Sequence, residues 1–125
     1  MYGIQPLDDY TDIRSVSWKI WFKLLYDYVT SRVKLVTVTS AYTFAVDVFY
    51  VRADATAGAF TVTLPAALTC SGRQVVIKKI DSSVNAVTIS RSGTDTIEGS
   101  STMSLAAQWD KQILISNGNT GWEKL

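Results

Sequence analysis

The sequence predicts a mainly β protein: an antiparallel β-sandwich or barrel-like domain preceded by one N-terminal α-helix. Two observations carry the prediction. The hydrophobic period changes from about 3.6 to 2 near Lys34 and does not change back. Beyond that point short β-branched runs alternate with turn residues, and no helix-sized pattern interrupts them.

The first ten residues, MYGIQPLDDY, have neither period. Pro6 forbids a continuous helix into Asp12 and biases Gln5 toward an extended conformation, so the segment reads as an arm. Its apolar residues Tyr2, Ile4, Leu7 and Tyr10 are candidates for docking on a neighbouring protein. From Asp12 to Val33 apolar residues recur at helical spacing, with Thr11 or Asp12 as cap and neither Gly nor Pro inside. Ile13, Val16, Ile20 and Leu24 form one stripe, and Trp18, Trp21, Phe22, Leu25 and Val29 form a second beside it. Together they cover about two-thirds of the circumference, where an ordinary surface helix needs one stripe. Such a helix lies either deep in its own domain's core or against another chain. Ile13, Trp18, Trp21, Phe22, Leu25 and Val29 are therefore the candidate oligomer and anchor interface.

Six strands follow: Leu35 to Thr39, Thr43 to Arg52, Ala59 to Leu64, Gln74 to Ile80, Ala86 to Ser90 and Lys111 to Ser116. Shorter ones are predicted at Thr96 to Glu98, Thr102 to Leu105 and Gly121 to Lys124. Pro65 ends its strand, and Asn117-Gly118 signals a tight type I′ hairpin that should bring Trp109 and Trp122 close together. No tandem repeat is visible, so a propeller or solenoid is not expected. The domain division is thus residues 1–34, arm and helix, and residues 35–125, β-domain.

Composition narrows function mostly by exclusion. The 125 residues carry 12 Lys and Arg against 11 Asp and Glu, a net charge of +1 that argues against nucleic acid as a partner. There is no histidine, which removes the commonest general base and the usual zinc ligand. A single cysteine, Cys70, excludes an intramolecular disulfide and reads as a small packed side chain. The longest uncharged run, Ala55 to Gly72, holds two glycines and a proline, so membrane insertion is not expected.

The carboxylate pairs Asp95 with Glu98 and Asp81 with Asp110 are the candidates for acid/base work, and Asp81, Asn85, Asp95 and Glu98 for a calcium site. Neither set has a supporting signature, and turn carboxylates are common in β proteins. The expectation is a protein that is not an enzyme and holds no cofactor. Tyr42, Tyr50, Trp109 and Trp122 are candidate glycan contacts, because aromatic rings stack on sugars.

The runs FYVRADATAGAFTVTLPAA, SGRQVVIKKIDSSVNAVTISRSGTDTIEGSSTMSLA and WDKQILISNGNTGWEKL, over residues 49–125, resemble a β-domain recurrent in bacteriophage tail fibres, head fibres and related virion proteins. The resemblance implies a virion structural module, commonly homotrimeric and often near a receptor-binding tip. By the same match Val62, Leu64, Val76, Ile77, Ile80, Val87, Ile89, Ile97, Leu105, Ile113, Ile115 and Trp122 carry the packing. The expected partners are further copies of the chain, other phage virion proteins (capsid, portal, collar or tail) and a host surface glycan. The expected location is the virion, assembled in the host cytoplasm. A methionine 34 residues before the β-domain suggests a short fibre, or an adaptor holding a longer one. The alternative reading is a carbohydrate-binding adhesin that recognises the host surface.

Overall fold

The computed structural model describes residues 18–26 and 34–125. The chain divides into two compact units, Met1–Arg32 and Val33–Leu125. In the first, residues 18–26 are α-helical and all exposed. The outer parts of the expected helix, with Ile13 and Val29, and the arm residues Tyr2, Ile4, Leu7 and Tyr10 lie outside the described residues.

The second unit begins with strands β1 (Lys34–Val38), β2 (Tyr42–Thr43), β3 (Val48–Ala53) and β4 (Phe60–Thr63). After a 3₁₀ turn, Ala67–Thr69, come β5 (Gln74–Lys79), β6 (Val87–Ser90), β7 (Thr96–Ile97), β8 (Thr102–Leu105), β9 (Lys111–Ser116) and β10 (Gly121–Lys124). They form a six-stranded sheet in the order β1-β3-β5-β9-β10-β7 and a four-stranded sheet in the order β2-β4-β6-β8.

Both sheets are mixed, which corrects the antiparallel expectation. From β1 to β6 the chain places successive strands alternately in the two sheets. Each strand therefore pairs in parallel with the one two places on: β1 with β3, β3 with β5, β2 with β4 and β4 with β6. Parallel neighbours need a long crossover, and here a strand of the opposite sheet serves as that crossover in place of a helix. The chain thus winds back and forth between the two sheets through its first six strands. Antiparallel strands then close it, β8 on β6 and β9 on β5, with β10 antiparallel to β9.

The single run expected from Thr43 to Arg52 is two strands. Between them Val48 N–H donates to the Ala45 carbonyl and the chain crosses between sheets, leaving Val46 almost fully exposed. The sheets share one core, with Val51, Val75, Ile77, Leu114 and Trp122 from the larger and Val62, Val87, Ile89 and Leu105 from the smaller. Of the packing residues implied by the resemblance, Val76, Ile80, Ile113 and Ile115 are not in the buried core. Val76 follows buried Val75 and precedes buried Ile77, so strand alternation turns it to the other face; Ile113 and Ile115 flank buried Leu114 in the same way.

The hairpin from β9 to β10 has a four-residue loop instead of a two-residue type I′ turn. Asn117 keeps a negative φ, and its side-chain oxygen accepts the amides of Asn119, Thr120 and Gly121 at 2.9 to 3.1 Å. Trp109 and Trp122 are therefore not neighbours. Trp122 pairs with Ser116 at one end of β9 and is buried, its indole N–H donating to the Pro65 carbonyl at 3.1 Å. Trp109 precedes the other end of β9 and is exposed.

Candidate functional site

The inward position at the end of β5 is a lysine. Lys79 is fully buried, and its ammonium donates to the Asp81 carboxylate at 2.8 Å and to the carbonyls of Asp81 and Ser83 at 3.1 Å, which accounts for all three of its protons. Asp81 also accepts the Ala55 amide at 2.7 Å, the Ser83 amide at 3.0 Å and the Ser83 hydroxyl. Asn85 donates to the Ala55 carbonyl at 2.8 Å. Burial pushes the Asp81 carboxyl up, but the hydrogen bonds from Lys79, Ser83 and Ala55 outweigh it and hold the pKa well below the usual carboxylate range. The cluster ties the chain leaving β3 to the chain leaving β5, and its polar groups are satisfied internally, which leaves them a structural task.

The other carboxylate candidates are engaged by backbone amides, Asp110 within its own loop and Asp95 and Glu98 across to distant segments. Asp95 accepts the Ala67 amide at 2.8 Å, Glu98 the Lys124 amide at 2.8 Å, and Asp110 the amides of Ala106 and Ala107 at 3.0 and 2.9 Å. Among the described residues no three Asp, Glu or Cys side chains are grouped to hold a metal ion. Cys70 is half-buried, with its sulfur 3.2 Å from the Ala66 carbonyl. A groove of about 490 Å³ runs beside the part of β4 that β2 leaves unpaired, and no titratable side chain lines it. Among the described residues, no helix is long and apolar enough to cross a membrane.

The outer face of the six-stranded sheet carries groups accessible to another molecule. Register places Leu35, Tyr50, Val76 and Ile113 side by side across β1, β3, β5 and β9. Two residues further along these strands, Thr37, Arg52, Lys78 and Lys111 form the adjoining row. The face is thus an apolar band bordered by cations. Arg52 reaches Thr37 at 3.4 Å, and the Lys78 ammonium stands 5.3 Å from the centre of the Trp109 ring.

The four candidate glycan contacts are not brought together. Tyr50 and Trp109 share the outer face but sit in different rows. Tyr42 is half-buried at the core's edge, edge-on to Phe44. Trp122 is excluded because a buried indole offers no face to a sugar. Sequence reading missed the row Arg52, Lys78 and Lys111. The signal for it was the pair Lys78-Lys79, since two adjacent residues in a strand face opposite ways and only one lysine could point outward.

The described part of the helix exposes Trp18, Trp21 and Phe22 at 61, 57 and 52% and Leu25 at 43%, with Ile20 and Leu24 also exposed. Trp18 and Phe22, one turn apart, stack with ring centres 5.2 Å apart. No family model matches the chain, and neither does any curated protein.

Proposed function

We propose that the protein is a structural component of a bacteriophage virion, a short fibre or adaptor that assembles as a homotrimer and attaches to the particle through its N-terminal segment. The observation that carries the self-association is apolar surface left open to solvent. Trp18, Trp21, Phe22 and Leu25 on the helix are exposed, and the sheet adds a band of exposed Leu35 with half-buried Tyr50, Val76 and Ile113, apolar area of the kind that monomers seldom expose. The same residues would form the interface between copies. The virion assignment rests on the resemblance of residues 49–125, and the non-enzymatic reading on candidate carboxylates that are already engaged in hydrogen bonds within the domain. Tyr2, Ile4, Leu7 and Tyr10 are the proposed docking residues of the arm.

Sedimentation at micromolar concentration tests the assembly. The expected species has three times the 13.8 kDa chain mass, and Trp21→Asp, which puts an unpaired charge in an apolar contact, is expected to dissociate it while β-sheet circular dichroism persists. A well-behaved monomer of the unaltered chain overturns the reading.

Carbohydrate binding is the second reading, and Trp109 is the observation that favours it. This indole is 57% exposed on the outer face, with a left-handed φ of 72°.

A further inference from the structure

Arg52, Lys78 and Lys111 are in-register neighbours on β3, β5 and β9, so they leave the sheet side by side at the inter-strand spacing of about 4.8 Å. Among the described residues the ion pairs are Lys34 with Asp47 and Lys79 with Asp81, and neither includes a member of this row. Asp54, two residues beyond Arg52, is engaged by the amide and hydroxyl of Thr56 at 3.0 and 2.6 Å. Like charges directly opposite one another on a sheet destabilise it, and a bound anion relieves that repulsion.

Trp109 stands beside the row in a backbone conformation that bulky residues rarely adopt. Its surroundings enforce the conformation. The Trp109 amide donates to the Lys79 carbonyl at 2.8 Å, the Lys79 amide donates to the Asp110 carbonyl at 2.9 Å, and Gln108 donates to the Ile80 carbonyl at 3.1 Å. With Asp110 also accepting two amides of the loop, the backbone fixes an exposed indole against Lys78, whose in-register neighbours Arg52 and Lys111 join no ion pair among the described residues.

We propose that Trp109, Lys78, Lys111 and Arg52 bind an acidic carbohydrate, a chain of carboxylate-bearing sugar rings of the uronic acid type. A sugar ring presents an apolar C–H face to the indole, on the side opposite Lys78. Its carboxylate meets the ammonium groups and the guanidinium, which donates two parallel hydrogen bonds to a carboxylate. Successive carboxylates along a polymer meet successive cations along the row. A neutral saccharide leaves the cations unused, and an acidic peptide leaves the indole unused. The inference rests on the carbohydrate-binding reading, and the site borders the apolar band proposed for self-association without belonging to it.

Calorimetric titration of the full chain with an oligogalacturonate, a dextran oligomer and an oligoglutamate tests the proposal. Binding is expected for the oligogalacturonate, weakening as salt is raised. Trp109→Gly, which removes the ring and relieves the left-handed backbone, is expected to lower that affinity about tenfold, with β-sheet circular dichroism unchanged. Arg52→Gln combined with Lys111→Gln is expected to have a similar effect and leaves Lys78 against the ring. Equal binding of dextran overturns the acidic specificity and leaves carbohydrate binding standing. Binding of no saccharide overturns both. Equal binding of oligoglutamate, insensitive to Trp109→Gly, overturns the proposal by reducing the site to a basic patch.

Discussion

Lys79 and Asp81 show how a single inward position can determine a loop. The β-domain could have closed this corner with an aliphatic side chain, as it does at Ile77. It buries an ammonium instead and surrounds it with one carboxylate and two carbonyls. A buried pair of this kind adds little over an apolar replacement, but removing one partner leaves the other charge uncompensated. Asp81→Asn is therefore expected to destabilise the domain by about 3–5 kcal/mol, measured by denaturant unfolding. The pH dependence follows from the depressed native pKa of Asp81. In acid the unfolded chain takes up the proton near its ordinary value of about 3.9 while the native carboxylate still refuses it, so acid favours unfolding. The Asp81 contribution is complete above that value and is lost as pH falls below it toward the native pKa. The unfolding free energy is expected to fall below about pH 4 in the unaltered chain, more steeply than in Asp81→Asn.

At the level of elements, the closing strands depend on close backbone approach. Gly121 pairs with Thr96 where β10 runs parallel to β7, and a β-carbon added there would lie 2.5 Å from the Thr96 carbonyl oxygen. Its φ is not left-handed, so the constraint is space and not backbone conformation. Gly121→Ala is expected to cost about 1–3 kcal/mol by forcing the two strands apart, with the loss read as a lower thermal midpoint. Strand positions were legible because alternation and turn residues are local signals: all the runs predicted between Leu35 and Lys124 contain strand. Strand partners were not. Thr43 to Arg52 reads as one continuous alternating run, yet the chain crosses between sheets inside it, because Phe44 and Val48 are both needed in the shared core while Val46 and Asp47 turn outward.

At the scale of the whole molecule, the second unit contains its own core. The buried cluster draws all its members from Phe44 to Trp122, and none from residues 18–26. A fragment beginning at Val33 is accordingly expected to keep the β-sheet circular dichroism of the full chain and a cooperative unfolding transition. A fragment without β-sheet signal at any concentration would refute this. Loss of the assembled species from the same folded fragment would place part of the self-association in the helix.

The sequence by itself determined which stretches carry strand, that one helical segment precedes them, and which types of catalytic and metal chemistry lack their residues. Those properties depend on period, turn chemistry and composition, all of which are read within a few residues. The parallel winding was decided by the tertiary structure. Val36, Val51 and Ile77 align across the larger sheet at separations of 15 and 26 residues, and Tyr42, Val62 and Ile89 across the smaller at 20 and 27. With loops of such unequal length the turns leave no fixed repeat in the sequence. The outer face was decided in the same way: Arg52, Lys78 and Lys111 are scattered along the chain, and only sheet register sets them in one row beside Trp109. Register is a non-local property, settled by which residues the core buries, and no single strand contains that information.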